Sequence, residues 1–277
     1  MAGQPGRFSF EFSPPRNDDA VAKLAKVHDR LAELEPGFFS VTYGAGGSTR
    51  QGTRQTVLDI HAAGSNVAPH MSFGADSSEA IAQLLCEYRD AGIKRIVALR
   101  GDVPSGLGGG GMRYADELVG FIRDTTGDHF HIEVAAYPEV HPDSPGLPSE
   151  IHYFKQKVEA GADSAITQYF YVAEAYFNFV EACAKAGVDV PIVPGVMPIT
   201  NYASLLRFSD KCQAEVPRWL RKKLEAYDDG SEDLRRAGEE VVTELCRRLL
   251  DWGAPGLHFY TINQSLPTRR IWRNLFD

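Results

Sequence analysis

Short apolar, β-branched runs recur along this chain, separated by longer stretches whose apolar positions repeat at helical spacing. The runs predict strands at 7–12, 37–43, 66–72, 94–100, 131–137, 163–169, 191–196 and 256–260. Between them the spacing predicts helices, notably over 17–34, 76–90, 113–125, 148–160, 173–185 and 231–250. One phrase joins the two kinds of element: a helix end, then Ala-Gly or a near relative, then a strand. It occurs at Ala63-Gly64, Ala91-Gly92, Ala160-Gly161, Ala186-Gly187 and Trp252-Gly253. Glycine suits the left-handed residue that ends a helix, and a short loop then enters a buried strand. About eight such units predict an α/β fold, a (β/α)8 TIM barrel of ~250 residues forming a single domain. A doubly wound sheet is the alternative, since repetition alone does not prove closure. The stretch 201–230 exceeds what one connection needs, and Arg218 to Tyr227 within it predicts an extra helix over one barrel rim.

Composition narrows the function classes. The 277 residues carry 29 Lys+Arg against 37 Asp+Glu, a formal charge of −8. Such a surface repels phosphate backbones, and no basic stripe interrupts it, which argues against nucleic-acid binding. No apolar run approaches the ~18 residues of a membrane span, and Met1 to Arg7 opens without an apolar signal region. Cys86, Cys183, Cys212 and Cys246 are scattered without a C-x-x-C pair. Cys86, Cys183 and Cys246 fall at apolar helix phases and read as buried thiols in a reducing compartment. The expectation is a cytoplasmic globular protein.

In a barrel of this type the chemistry sits at the C-terminal ends of the strands. Those ends read Glu11, Thr42-Tyr43, His70, Arg100-Gly101-Asp102, Tyr137 to His141, Gln168-Tyr169 and His258-Phe259-Tyr260. In Phe8-Ser9-Phe10-Glu11-Phe12 the alternation puts three Phe on one face and Ser9 with Glu11 on the other, aiming Glu11 into the barrel mouth. Charge is poorly solvated there, which favours a protonated carboxyl usable as a general acid. A salt-bridged structural Glu is the other reading. Arg100-Gly101-Asp102 pairs a glycine that lets backbone approach a ligand with a carboxylate able to hold a polar hydrogen or offset positive charge. Gly106 to Gly111 formally contains G-x-G-x-x-G, but Arg100 to Ser105 separate it from the strand, so a flexible loop fits better than a dinucleotide turn. His129 and His131 have the spacing of a metal pair yet lie at the start of their strand, the wrong end, so no metal site is expected.

Taken in order, these phrases resemble the methylenetetrahydrofolate reductase family of FAD-dependent barrels. The matching phrases are Phe8 to Arg16, Ser40-Val41-Thr42-Tyr43-Gly44-Ala45, Ala68-Pro69-His70 and Ala98 to Asp102. Ala135 to Pro142, Ala165 to Phe170 and His258-Phe259-Tyr260-Thr261 complete the set, which covers nearly the whole chain. The length resembles the bacterial form, without a C-terminal regulatory domain. By position, the resemblance makes Glu11 the general acid and Asp102 the carboxylate near flavin and pterin. It assigns Gln168, Tyr202, Tyr260 and Gln264 to substrate. FAD contacts carry over to Thr42, His70, Arg100, Gly101, Asp102, Tyr114, Ala115, Ala135, Tyr137, His141 and Lys157. Four positions depart from the family pattern: Tyr202 where Phe is common, Glu150 for Asp, Gln156 for Arg, and Gln264 for Arg.

The implied reaction reduces methylenetetrahydrofolate to methyltetrahydrofolate with NADH or NADPH through noncovalent FAD, in two half-reactions that share one site. Opening the substrate's five-membered ring needs a proton, the task of a positioned carboxylic acid. The resulting iminium is cationic, so a fixed carboxylate such as Asp102 lowers the barrier. The resemblance also implies a homo-oligomer. Two further readings are a flavin-independent reductase of the same barrel, and a catalytically idle subunit of another oxidoreductase. Retention of Glu11, Asp102 and Gln168 together speaks against the idle subunit.

Overall fold

Alternation in β1 (Phe8–Phe12) sends Phe8, Phe10 and Phe12 to one face, where all three are buried, and Ser9 and Glu11 to the other. The phenyl face packs outward. Phe10 and Phe12 meet Phe39 at 5.8 and 5.3 Å between ring centroids, and Phe8 lies edge-on to Phe276 at 5.1 Å. The computed structural model describes residues 7–43, 47–73, 77–100 and 114–276. A second, small apolar cluster of Ala68, Val97 and Ile166, with Phe38, Leu99 and Tyr260 against it, lies on the inner strand faces, apart from the main core.

The remaining strands are β2 (Phe38–Val41), β3 (Val67–Met71), β4 (Arg95–Ala98), β5 (His131–Ala136), β6 (Ser164–Thr167), β7 (Ile192–Val193), β8 (Gly195–Val196) and β9 (Leu257–Tyr260). All pairings are parallel, in the order β7-β6-β5-β4-β3-β2-β1-β9-β8. Only Pro194 separates β7 from β8, so the two ends of the sheet are two halves of one strand and the sheet closes on itself. The fold is a TIM barrel, and the doubly wound alternative falls. The predicted strand 191–196 is corrected in one respect. It changes partner at Pro194: Ile192 pairs with Ala165, while Gly195 pairs with His258. Proline has no N–H to give either neighbour, but its carbonyl accepts from His258 N–H at 3.0 Å.

Helices α1 (Asp18–Ala32), α2 (Gly47–Ala62), α3 (Ser78–Asp90), α4 (Ala115–Thr126), α5 (Leu147–Glu159) and α6 (Ala173–Lys185) follow β1 to β6 in turn. Next come α7 (Tyr202–Cys212), α8 (Arg218–Leu224), α9 (Glu232–Trp252) and, after β9, α10 (Leu266–Phe276). The recurrent helix-end glycines behave as read: Gly64, Gly92, Gly161, Gly187 and Gly253 all have φ between +77° and +114°. Asn17, Ser77, Asn201 and Ser231 cap α1, α3, α7 and α9 by accepting amide N–H bonds. The 201–230 stretch holds two helices rather than one, and the second stops at Leu224, short of Tyr227. Several strands are also shorter than predicted. Thus β4, β5 and β6 end at Ala98, Ala136 and Thr167, leaving Arg100, Tyr137 and Gln168 in the loops beyond. Among the described residues no helix is long and apolar enough to cross a membrane.

Toward the strand starts, the barrel interior holds a charged plug. Glu133 of β5 is buried, ion-paired with Arg95 of β4 and hydrogen-bonded by Ser164 of β6, whose hydroxyl also meets His131. Burial alone would raise the Glu133 pKa, but bonds from His131 and Ser164 and the Arg95 charge outweigh it and hold the carboxyl below its ordinary value.

Closure leaves no room at Gly195. A Cβ there would sit 2.1 Å from the Thr167 carbonyl oxygen and 2.6 Å from the Tyr260 ring. Backbone cannot step aside cheaply, and overpacking typically costs ~1–3 kcal/mol or more. Gly195→Ala should therefore lower the urea unfolding free energy by at least ~2 kcal/mol. A midpoint within error of the parent protein would show that β8 is not held this tightly.

Candidate active site

The inner faces of β1, β3 and β9 bring three titratable side chains together at the mouth. Glu11 Oε2 lies 3.4 Å from His70 Nε2 and 3.8 Å from His258 Nε2. The Glu11 side chain keeps 17% exposure, against 9% for His70 and none for His258. Each is fixed by its strand register: Glu11 pairs with Tyr260 and Ser40, and His258 with Ser9. His258 Nδ1 shares a 2.7 Å hydrogen bond with Ser9 Oγ, and Thr261 Oγ donates to the Glu11 carbonyl at 2.6 Å. The Nε2 atoms of both histidines are buried without a hydrogen-bond partner. Burial drives the His70 pKa down to about 4, against the pull of Glu11 and with the push of His258. A neutral His70 therefore faces Glu11 at neutral pH. The sequence puts His258 at a strand end and Ser9 on the Glu11 face of β1, but assigns a role to neither.

A second group gathers at the ends of β4 and β5. Lys157 of α5 donates to the Ala135 carbonyl at 2.6 Å, and burial pushes its amine down to about 8 despite Glu150 and Asp116. His141 packs edge-on against Tyr137 at 4.6 Å, and its Nδ1 accepts from Asp143 N–H at 3.0 Å. Its pKa is lowered by burial, then by the charge of Arg100, with Lys157 acting the same way. Arg100 is exposed and pairs with Asp143 at 2.8 Å. Two cations, Arg100 and Lys157, thus gather with a His141 whose Nδ1 already accepts a hydrogen bond, beside the carboxylates of Asp143 and Glu150; their N–H groups can donate to an anionic group. Glu150 accepts from His141 N–H at 3.1 Å, so this departure from the family pattern fixes the His141 backbone. Gln156 is exposed on α5.

The other predicted positions are spread around the rim. Thr42 follows β2, its amide bonded to the Phe12 carbonyl at 2.9 Å. Tyr114 caps α4, whose first residue is Ala115, and its amide donates to Glu117 at 3.0 Å. Gln168 follows β6 and turns its amide oxygen onto Tyr169 N–H at 3.0 Å. Tyr260 reaches over Gly195 of the intervening strand to donate to the Thr167 carbonyl at 2.7 Å; burial and the neighbouring Glu11 raise its phenol pKa. Tyr202 opens α7 and donates to Glu225 of α8 at 3.2 Å. Gln264 stands apart, in a cleft of about 530 Å³ lined by α1, α9 and α10. Gly101, Asp102 and the Gly106–Gly111 tract lie outside the described residues. His129 and His131 bond to the Ile93 carbonyl and to Ser164 at the far end of the barrel.

A closed parallel barrel with its titratable groups gathered at the C-terminal strand ends defines the (β/α)8 enzyme class. Within it, the chain belongs to the methylenetetrahydrofolate reductase family, whose model matches residues 3–276, and this makes it an oxidoreductase. It is 37% identical to the 5,10-methylenetetrahydrofolate reductases of Salmonella typhimurium and Escherichia coli, over 93% of this chain and 86% of each relative. It is 39% identical to methylenetetrahydrofolate reductase (NADH) 1 of Arabidopsis thaliana over 97% of this chain and 48% of that longer protein. Among solved structures, an uncharacterized Clostridium thermocellum protein that binds two copies of 5-methyl-5,6,7,8-tetrahydrofolic acid has the same fold. Its TM-score is 0.69 at 16% identity, covering 99% of this chain and 96% of that one.

The His70 shift has a measurable consequence. Between pH 6.5 and about 4 the unfolded chain binds a proton that folded His70 refuses, so stability falls as pH falls through that window. The full loss is roughly 3 kcal/mol. Denaturant titrations of His70→Asn should show a flatter pH dependence than the parent between pH 6.5 and 4; parallel curves would place the proton uptake elsewhere.

Proposed function

We propose that this protein reduces methylenetetrahydrofolate to methyltetrahydrofolate, taking reducing equivalents from NADH or NADPH through noncovalently bound FAD. The observation that carries this reading is Glu11, a carboxyl held in the barrel mouth between two histidine nitrogens and left partly open to an incoming molecule. Family membership supplies the substrate class. The N–H donors of Arg100, His141 and Lys157 suit the diphosphate of a flavin dinucleotide, with Thr42, His70, Tyr114, Ala115, Ala135 and Tyr137 as its further contacts. When bound, FAD accepts and returns the hydride. The chain's own residues do the rest. Glu11 delivers a proton to a substrate nitrogen as the ring opens, and the neutral His70 beside it adds no cationic charge to pull that proton away. Gln168 and Tyr202 orient the pterin, and Asp102 offsets the iminium charge. The flavin-independent reading is weaker, because the Arg100-Gly101-Asp102 and Tyr137 to His141 phrases that resemble the FAD-dependent family are intact.

Purified protein should be yellow. Glu11→Gln should slow the folate half-reaction by ~10²–10⁴-fold while leaving reduction of the flavin by NADH unchanged, because the amide keeps size but cannot deliver a proton. Stopped-flow traces of the two half-reactions decide this. Equal loss in both would make Glu11 structural, and a colourless active protein would favour the flavin-independent reading.

The cleft beside the mouth suits the glutamate tail of the folate. Asn263, which lines it, exchanges two 2.9 Å hydrogen bonds with the backbone of Ser13, just past Glu11. Arg269 and Arg270 are engaged with Glu33 and Glu232, at 2.8 and 2.9 Å. Lys23, Lys26 and Arg30 also line the cleft and make no ion pair among the described residues. Gln264→Arg should add a charge-assisted bond to the tail, typically worth ~1.5–3 kcal/mol, and so lower the folate KM with little change in kcat, most clearly at low salt. An unchanged KM, with a large rise in Lys26→Ala or Arg30→Ala, would move the tail contact from Gln264 to α1.

A further inference from the structure

Leu205, Val216, Leu220 and Leu224 bury the α7–α8 hairpin in the main core, and polar contacts tie it to two strand ends of the active site. Tyr169, the residue after Gln168, places its hydroxyl 3.0 Å from Ser209 Oγ and 3.2 Å from Cys212 Sγ, both in the last turns of α7. Glu139, between Tyr137 and His141, accepts from the backbone N–H of Glu215 in the α7–α8 turn at 2.8 Å. Its other oxygen is buried with no hydrogen-bond partner, although the residue as a whole is only half-buried. Neither residue has a role in the chemistry proposed above.

The backbone between Glu139 and His141 is under constraint. Val140 adopts φ +68°, a left-handed conformation that a β-branched residue rarely takes, and its N–H closes a turn onto the Tyr137 carbonyl at 3.0 Å. This twist lets neighbouring residues serve different elements. His141 N–H is tied to Glu150 of α5, while Glu139 reaches the hairpin. Strain of this kind persists only where the surroundings over-determine it, and it concentrates at functional sites. At its other end α7 is pinned as well, by Asp229, which accepts from Tyr202 N–H at 2.6 Å and Ala203 N–H at 3.3 Å. With both ends fixed, the helix behaves as a short rigid bar with Tyr202 on its first turn.

We propose that Glu139 and Tyr169 are positioning residues that seat the α7–α8 hairpin on the ends of β5 and β6 and so set the pose of Tyr202 toward the folate. This rests on the reductase reading above, with Tyr202 as a folate contact. The strand ends that carry His141 and Gln168 then also hold the wall that the second substrate meets, without either positioning residue touching it.

The test uses the full-length protein. Glu139→Ala should raise the KM for methylenetetrahydrofolate about tenfold, with kcat and flavin reduction by NADH within about twofold of the parent. Glu139→Gln, whose amide carbonyl still accepts the Glu215 N–H, should bring KM back to within about twofold. Tyr169→Phe, which loses both hydroxyl contacts, should raise KM as Glu139→Ala does. Hydrogen–deuterium exchange needs no catalysis and should quicken across 202–224 in Glu139→Ala but not in Glu139→Gln. An unchanged KM in Glu139→Ala and Tyr169→Phe, or a Gln variant as impaired as Ala, overturns the proposal. A parent protein without reductase activity overturns the functional reading instead. In that case the exchange data alone decide whether Glu139 seats the hairpin, and equal exchange in all variants overturns that too.

Discussion

Closure at Pro194 is the constraint on which the rest of this structure depends. A strand that leaves β6 and joins β9 within a few residues turns an open sheet into a barrel, and it fixes how much space lies inside. That interior is narrow. Gly195 has no side chain because the Thr167 carbonyl and the Tyr260 ring already occupy the place a Cβ would take. Tyr260 in turn passes over Gly195 to reach Thr167 on the other side of that strand. On the other side of β8, β9 pairs directly with β1, and this pairing brings His258 to Glu11.

Two inward-facing acids show how one barrel assigns opposite tasks to the same side chain. At the strand starts, Glu133 is surrounded by donors and a guanidinium, and its charge is satisfied. A carboxylate so held has little reason to exchange a proton. At the strand ends, Glu11 has no arginine or lysine within ion-pair distance among the described residues, only two imidazoles that approach without closing a hydrogen bond. Both acids sit on inner faces, but they differ in neighbours and in depth: the Glu133 side chain is 3% exposed and that of Glu11 17%. Low-dielectric surroundings strengthen whichever arrangement is present.

Much of this was legible in the amino-acid order. The β1 alternation placed Glu11 in the mouth, and the five helix-end glycines marked the repeat, because both signals are local and depend only on backbone geometry. What escaped was non-local. The change of partner at Pro194 depends on where β6 and β9 lie. The pairing of His258 with Ser9, and of Glu139 with Glu215, joins residues far apart in the chain. Glu133 did carry a signal, as a charge in the apolar run Ile132-Glu133-Val134, but two of its partners, Arg95 and Ser164, come from other strands. The second helix of the 201–230 segment fell short of Tyr227 for a local reason. Asp228, Asp229 and Gly230 form the turn into the Ser231 cap of α9, and Asp229 is committed to the start of α7.

The pairing of β1 with β9 also orders events during synthesis. β1 is made first, yet one of its edges has no partner until the last strand is complete, and Arg7 beside it bonds to the carbonyls of Ala254 and Pro255. Contacts between the two ends of a chain form late and slowly, because the loop between them must first be ordered. Glu11 is therefore translated almost at the outset but gains His258 only when the barrel shuts. A partly made or truncated chain carries the acid without its surroundings, so the chemistry and the finished fold arrive in the same step.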